Sequence, residues 1–403
     1  MLRIETVEER CVTNIVITGM GLLSAAGDRR QAGRGLLGKL RVDQARTTLS
    51  GRKVRVCELG DHFATAKESA PSWAHTLDRS VVAALSVAQL AMENTRLAGV
   101  NLSRYGVYLG SSRFSDHTKT RYQQLLTSGE KLPKDALIQS LAFGPAFWVA
   151  KHFGIEGPTE AITSACTGSL QALMRACDAL KLGYIDAALV CGVETSLTDL
   201  CVEQFAQLGV CSKSGICRAF DKNRDGTIPG EGAAAILLET EKYARARGRP
   251  IFARVCGYAS VNDGFAYAND PSGNGIMRAI HQALQCAHLM PEDIDVVNAH
   301  APGTVAGDLS EGRALEKFSP ATPVYTAKPL IGHCNGAASL METVLGIDAL
   351  NEGVVPGNYC EEQDPGCGDI YLPRDTESRK MRTLLKISSG IGGVHAAAIF
   401  QKA

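Results

Sequence analysis

Apolar residues fall into two patterns along the chain. Short, nearly unbroken apolar runs predict buried strands at 14–24 (NIVITGMGLLS), 105–112 (YGVYLGSS), 186–194 (DAALVCGVE) and 232–240 (GAAAILLET). Stretches with apolar positions at helical spacing predict helices over 80–99 and 168–183, closed by Gly99 and Gly183. After Pro250 the cadence starts again. Strands are predicted at 251–260 and 293–301 and a final one at 382–390, with helices at 275–289 and 336–353. Strands alternating with helices predict an α/β protein whose sheets are largely parallel and covered on both faces. The repeated cadence predicts two similar α/β halves, 1–250 and 251–403, without a repeat at the residue level.

Composition narrows the function classes. Hydrophobic residues make up 45% of the 403, enough for a sizeable core, and 42 basic residues balance 42 acidic ones. That balance argues against a general nucleic-acid or membrane-surface binder and leaves room for a local basic patch facing an acidic partner. No apolar run approaches the roughly 20 residues of a membrane helix. The opening MLRIETVEERCVTN mixes charges and lacks an apolar signal core, so a cytoplasmic protein with reduced thiols is expected. Thirteen cysteines without a Cys-x-x-Cys pair do not make a zinc ribbon. FDKNRD (220–225) lacks the spaced oxygen ligands of a calcium loop, and GEGAAA (230–235) precedes a strand, the wrong order for a dinucleotide fingerprint. No metal and no tightly bound cofactor are expected.

The segment TSACTGS (163–169) sets Cys166 among small residues just before a predicted helix. A helix N-terminus favours a thiolate, so Cys166 is a candidate nucleophile, with a buried core cysteine as the alternative. In the second half, NAHAPGTVAGDLSE (298–311) puts His300 at a strand end, and AKPLIGHCNGAASLME (327–342) puts His333 on a glycine-flanked loop before a helix. Catalytic groups of open α/β sheets cluster on such loops.

These motifs together resemble the β-ketoacyl synthases of the thiolase superfamily, the elongating kind of fatty-acid and type II polyketide synthesis. The likeness runs nearly end to end: GMGLLSAAG (19–27), the Cys166 segment, RAFDKNRDGTIPGEGAAAILLE (218–239), both histidine motifs and SSGIGGVHA (388–396). It implies a thiolase-like fold, a five-layered αβαβα body with the nucleophile in 1–250 and both histidines in 251–403. It implies a Cys166–His300–His333 site that takes an acyl group from a carrier-protein thioester onto Cys166. Malonyl thioester then loses carbon dioxide, and the histidines stabilise the enolate. The backbone N–H groups of Cys166 and Ile391 would bind the tetrahedral oxyanion, Lys328 and Glu342 would pair to support the histidines, and Thr304 would bind the phosphopantetheine arm carried by the acyl carrier protein. Asp308 and Glu311 read as loop caps, and 117–145 as a cap on the acyl tunnel or part of a dimer seam. A homodimer, or a heterodimer with a related ketosynthase-like subunit, is implied.

The chain departs from the family pattern in places. Ala301-Pro302 replace Gly-Thr after His300, Pro329 replaces a serine, Ser389 and Ile391 replace two phenylalanines, and Val394-His395 replace Thr-Asn. The smaller Ile391 implies an altered gate, and His395 reads as a packing residue. These changes point to a specialised type II polyketide, polyene or fatty-acid pathway. The alternative is a chain-length-factor-like partner subunit, a class that usually lacks the cysteine.

Overall fold

The computed structural model describes residues 13–95, 97–265 and 270–403. Ten strands lie along one hydrogen-bonded path: β1 (Ile15–Ser24), β2 (Tyr105–Gly110), β3 (Thr159–Ile162), β4 (Ala187–Glu194), β5 (Gly232–Thr240), β6 (Ala253–Asn262), β7 (Val296–Asn298), β8 (Val324–Tyr325), β9 (Thr383–Gly390) and β10 (Val394–Lys402). Their order is β8-β7-β9-β10-β6-β1-β5-β4-β2-β3. Read from its outer edge inward, each half presents its third, second, fourth, fifth and first strands in chain order. The parallel and antiparallel pairings also match: β2 is parallel to β3 and β4, and β7 to β8 and β9. The two halves therefore share one topology. They meet edge to edge where Ile15, Val16 and Ile17 pair with Val255, Arg254 and Ala253.

Side-chain alternation divides the layers. In β4, Ala188 and Val190 enter a central core, while Ala187, Leu189, Cys191 and Val193 enter an outer one with α1 (Arg79–Ala91) and α2 (Gly144–Phe153). In β10, Ala396, Ala398 and Phe400 enter the same central core, while Ala397 and Ile399 pack with helices Asn274–Ala287 and Val305–Phe318. Helices Gly168–Lys181 and Asn335–Glu352 fill the central core between the halves. In chain order these four are α3 (Gly168–Lys181), α4 (Asn274–Ala287), α5 (Val305–Phe318) and α6 (Asn335–Glu352). The result is the five-layered αβαβα body.

The sheet is mixed rather than largely parallel. β5 and β10 run against both their neighbours. β10 must, because it follows β9 through only residues 391–393, and a tight hairpin allows no other direction. β10 also makes 382–390 the next-to-last strand, since VHAAAIFQK continues the sheet past the glycine turn. The helix predicted over 80–99 stops at Ala91, and Asn94 adopts φ 59° in the turn that follows.

α3 and α6 meet closely at their first turns. Ser169 and Ser339 hydroxyls lie 2.9 Å apart. Ser339 Oγ accepts the Leu170 N–H and Ser169 Oγ accepts the Leu340 N–H, both at 3.1 Å. Glycines permit the contact: a Cβ on Gly110 would lie 2.4 Å from Ser169 N, and one on Gly336 2.2 Å from Ser112 N. Gly110→Ala is therefore expected to lower unfolding free energy by about 1–3 kcal/mol. Gly33→Ala, at a helical position with no atom within 4 Å of the added methyl, is expected to raise it by about 0.5–1 kcal/mol. Urea unfolding of both variants checks the pair of signs.

Candidate active site

The start of each central helix delivers one group. β3 leads through a tight turn to Cys166, two residues before α3, while the short helix Lys328–Ile331 leads to His333, two residues before α6. The two residues thus hold matching places in the two halves. Cys166 Sγ and His333 Nε2 lie 3.2 Å apart. His300, two residues past β7, completes the group, its ring centroid 5.2 Å from that of His333 and the planes at 79°. One sulfur and two ring nitrogens from the three side chains fall within 4.8 Å of one another. These are donor types that zinc accepts. Here the sulfur and one imidazole face each other at hydrogen-bond distance.

Non-glycine residues with positive φ lie next to Cys166 and His300 and two positions past His333: Ala165 at 44°, Ala301 at 35° and Asn335 at 42°. Such residues cost about 1–3 kcal/mol each and persist only where their surroundings fix them. The surroundings are visible. Ser388 Oγ donates to Cys166 O at 3.1 Å, and Thr167 N–H donates to Ser164 O at 3.0 Å. Glu311 carboxylate oxygens accept the His300 and Ala301 N–H groups at 2.7 and 2.6 Å. Asp308 accepts those of Gly303 and Phe220 at 3.0 and 2.8 Å. His333 is clasped through its backbone: its N–H donates to Ile228 O at 2.7 Å, and its carbonyl accepts from Gly230 N at 3.0 Å. The 218–239 block therefore supports the site and also forms salt bridges, of which Arg224–Asp364 at 2.6 Å is one.

Beneath the histidines lies a buried charge network. Lys328 Nζ donates to Glu342 Oε1 at 2.6 Å and also to His300 O. Lys386 Nζ donates to Glu342 Oε2 at 2.5 Å and to Asn298 Oδ1 at 2.7 Å. All three charged side chains are fully buried. Lys386 escaped the sequence reading; its signal is a lysine inside the apolar strand TLLKISS. Glu194, at the end of β4, also escaped it. Its carboxylate accepts from Ser112 N at 2.9 Å, Ser112 Oγ at 2.6 Å and Gly336 N at 3.3 Å, tying the first turn of α6 to the strand ends.

Burial, assisted by Lys328, holds both histidines well below their ordinary 6.5, so both rings are neutral at pH 7. Burial also pushes the Cys166 thiol up to about 11, although Lys328 and a hydrogen bond from the Ile391 N–H pull the other way. The helix start alone does not make this thiol acidic: removal from water outweighs it in the closed site. The remaining predicted residues fall around this centre. Thr304 caps α5, its Oγ1 accepting the Gly307 N–H at 3.3 Å. The Ile391 side chain is 47% exposed, while its N–H faces the Cys166 sulfur. His395 is buried between Ser389 Oγ at 3.0 Å and Asp263 Oδ2 at 3.2 Å.

Comparison with known proteins agrees with this architecture. Residues 13–244 match the model for the β-ketoacyl synthase N-terminal domain, and 252–360 that for its C-terminal domain. The chain is 34% identical over 322 residues to 3-oxoacyl-[acyl-carrier-protein] synthase 2 of Mycobacterium tuberculosis strain H37Rv, covering 76% of this chain and 77% of that one. It is 30% identical over 409 residues to nodulation protein E of Rhizobium meliloti strain 1021, covering 96% and 99%. A solved type II polyketide ketosynthase in complex with its acyl carrier protein superimposes with a TM-score of 0.86 at 23% identity, covering 97% of this chain and 99% of that one, and so shares the fold. With both domain models matched in order across most of its length, the chain belongs to the β-ketoacyl synthase family and is a ketosynthase of the 3-oxoacyl-[acyl-carrier-protein] synthase type.

Proposed function

We propose that Cys166, His300 and His333 carry out the family's decarboxylative condensation between an acyl group held on Cys166 and a malonyl group held on an acyl carrier protein. The observation that carries this reading is the approach of His333 Nε2 to Cys166 Sγ at 3.2 Å, with His300 alongside. Cys166 sulfur attacks the acyl thioester; the new S–C bond forms as the carrier's C–S bond breaks. The thiol proton leaves on the carrier sulfur, and His333 Nε2 is the group placed to carry it. The malonyl C–C bond then breaks, releasing carbon dioxide and leaving its electron pair as an enolate. Neutral imidazoles can donate N–H to the enolate oxygen, which imidazoles pairing with carboxylates could not do as freely. The carbanion attacks the acyl carbonyl, the tetrahedral oxyanion takes the N–H groups of Cys166 and Ile391, and Cys166 departs as thiolate. The product is the 3-oxoacyl thioester, two carbons longer.

The phosphopantetheine arm reaches this centre on the carrier protein, with Thr304 along its path. A second ketosynthase-like subunit, identical or related, covers the 117–145 segment, where Leu126, Leu137, Ile138, Leu141 and Phe143 are exposed. No helix among the described residues is long and apolar enough to cross a membrane, and the twelve described cysteines are unpaired, which fits work in the cytoplasm. The altered Pro302, Ser389 and Ile391 loops favour a specialised type II polyketide, polyene or fatty-acid pathway. Retention of Cys166 favours the condensing role over a chain-length-factor role.

Two outcomes follow. Intact-protein mass spectrometry with an acyl-carrier thioester is expected to show acyl mass on the protein and none on Cys166→Ala. Adding malonyl-carrier then yields the two-carbon-longer 3-oxoacyl product, and His333→Ala lowers that yield by about a hundredfold or more; acyl mass on Cys166→Ala would remove Cys166 from its role. Separately, alkylation of Cys166 by iodoacetamide, read on its own peptide, is expected to climb steadily from about pH 7 to about pH 9.5. The direction follows from a thiol held near about 11, whose reactive fraction grows with every step in pH. A plateau below about pH 8 would reveal a pre-formed thiolate instead.

A further inference from the structure

Glu342 is one fully buried carboxylate with two fully buried lysines on it, and family resemblance accounts only for Lys328. Lys386 stands beside Asn298 in the β7–β9 register. Besides Glu342 and Asn298 Oδ1, its ammonium reaches the carbonyls of Ala299 at 3.3 Å and Asn298 at 3.5 Å. Those carbonyls are the last ones before His300. Lys328 holds the His300 carbonyl itself from the other side. The two lysines thus grip three consecutive peptide units leading into the histidine, and Glu342 spaces them.

Resting on the condensing-site reading above, we propose that Lys386 is a positioning residue for that site: it fixes the strand end that bears His300 and sets a second buried positive charge beneath both histidines. One cation on Glu342 would already satisfy the carboxylate's charge. A second is costly to bury and is retained where its field acts on something. The charged and titratable groups around the histidines come from several elements. Lys328, Lys386 and, for His300, His333 and His395 disfavour the protonated rings, while Cys166 is neutral. Glu342 from α6 is shared between the lysines, and Glu311 from α5 is bound to the His300 and Ala301 N–H groups. Burial, with Lys328 nearby, brings Lys386 itself down to about 8 against the pull of Glu342, so it still carries its charge at neutral pH.

The test compares the full chain with Lys386→Met and Lys386→Gln, the latter keeping an N–H donor for Asn298 while removing the charge. Histidine ring titration by NMR is the first readout. In both variants the two rings are expected to titrate at a higher pH than in the unaltered protein, yet still below their ordinary value, because burial and Lys328 remain. The second readout is decarboxylation of malonyl-carrier thioester. Its rate at about pH 6, relative to about pH 8, is expected to fall further in the variants than in the unaltered protein, following the upward shift of the ring titration. Unchanged histidine titration, or an equal loss at both pH values, overturns the charge-setting role. Loss of the cooperative thermal transition in both variants overturns it in favour of a purely scaffolding lysine. If the unaltered protein decarboxylates nothing at any pH, the condensing-site reading fails while the ring titration still decides what Lys386 does.

Discussion

The site exists because two buried helices touch at their first turns. Ser169 and Ser339 each accept a backbone N–H from the other helix and lie 2.9 Å from each other. The bond from Leu170, the third residue of its helix, satisfies a group that a helix start leaves open. Because the helices approach this closely, the residues just ahead of them converge. One contributes a thiol and the other an imidazole, and the repeated topology of the halves makes the two positions equivalent. The small residues around Cys166 therefore serve the packing as much as the substrate: Gly110, Gly192 and Gly336 all face side chains or backbone that any Cβ would strike.

A site in the middle of five layers is dry, and dryness sets its chemistry. Desolvation acts in the same sense on thiol and imidazole, favouring the uncharged form of each. The centre is thus a neutral thiol facing neutral rings rather than an ion pair. A network of buried charge lies beneath the rings, where Lys328, Lys386 and Glu342 hold one another and the backbone around His300. Removing Glu342 would leave two buried ammonium groups without their carboxylate, and breaking a buried pair in this way costs about 3–5 kcal/mol. The same network that supports the histidines therefore ties their geometry to the folding of the second half.

Backbone strain marks the same three places. Ala165, Ala301 and Asn335 hold positive φ beside Cys166, His300 and near His333, and none is a glycine. Glu311, Ser388 and the Ile228–Gly230 segment bond the adjoining backbone and fix those conformations. Elements distant in sequence thus over-determine the backbone at each of the three positions, which is how a packed site can tolerate strain that an isolated loop would relax.

Much of this was legible along the chain. Fully buried strands read as apolar runs whichever face they present, so β1, β2, β4, β5 and β6 fall where the pattern puts them. The local neighbourhoods of Cys166, His300 and His333 are short motifs, and Lys328 and Glu342 lie within one 16-residue stretch with His333. What depended on residues far apart was not legible. Strand direction was misread because alternation of elements does not say which way the last strand of each half returns. Glu194 and Lys386 were overlooked because a charged residue inside an apolar run has meaning only through its partners, here Ser112 and Gly336, and Glu342 and Asn298. The thiol was expected to be acidic from its place before a helix, a local cue; burial by the opposite half reverses that balance. The sequence by itself determined the elements, the duplication and the motifs that carry Cys166, His300 and His333, since these are written in short-range pattern. Only the tertiary structure decided their distances, their protonation and their support, because those are set by desolvation and by contacts between residues more than a hundred positions apart.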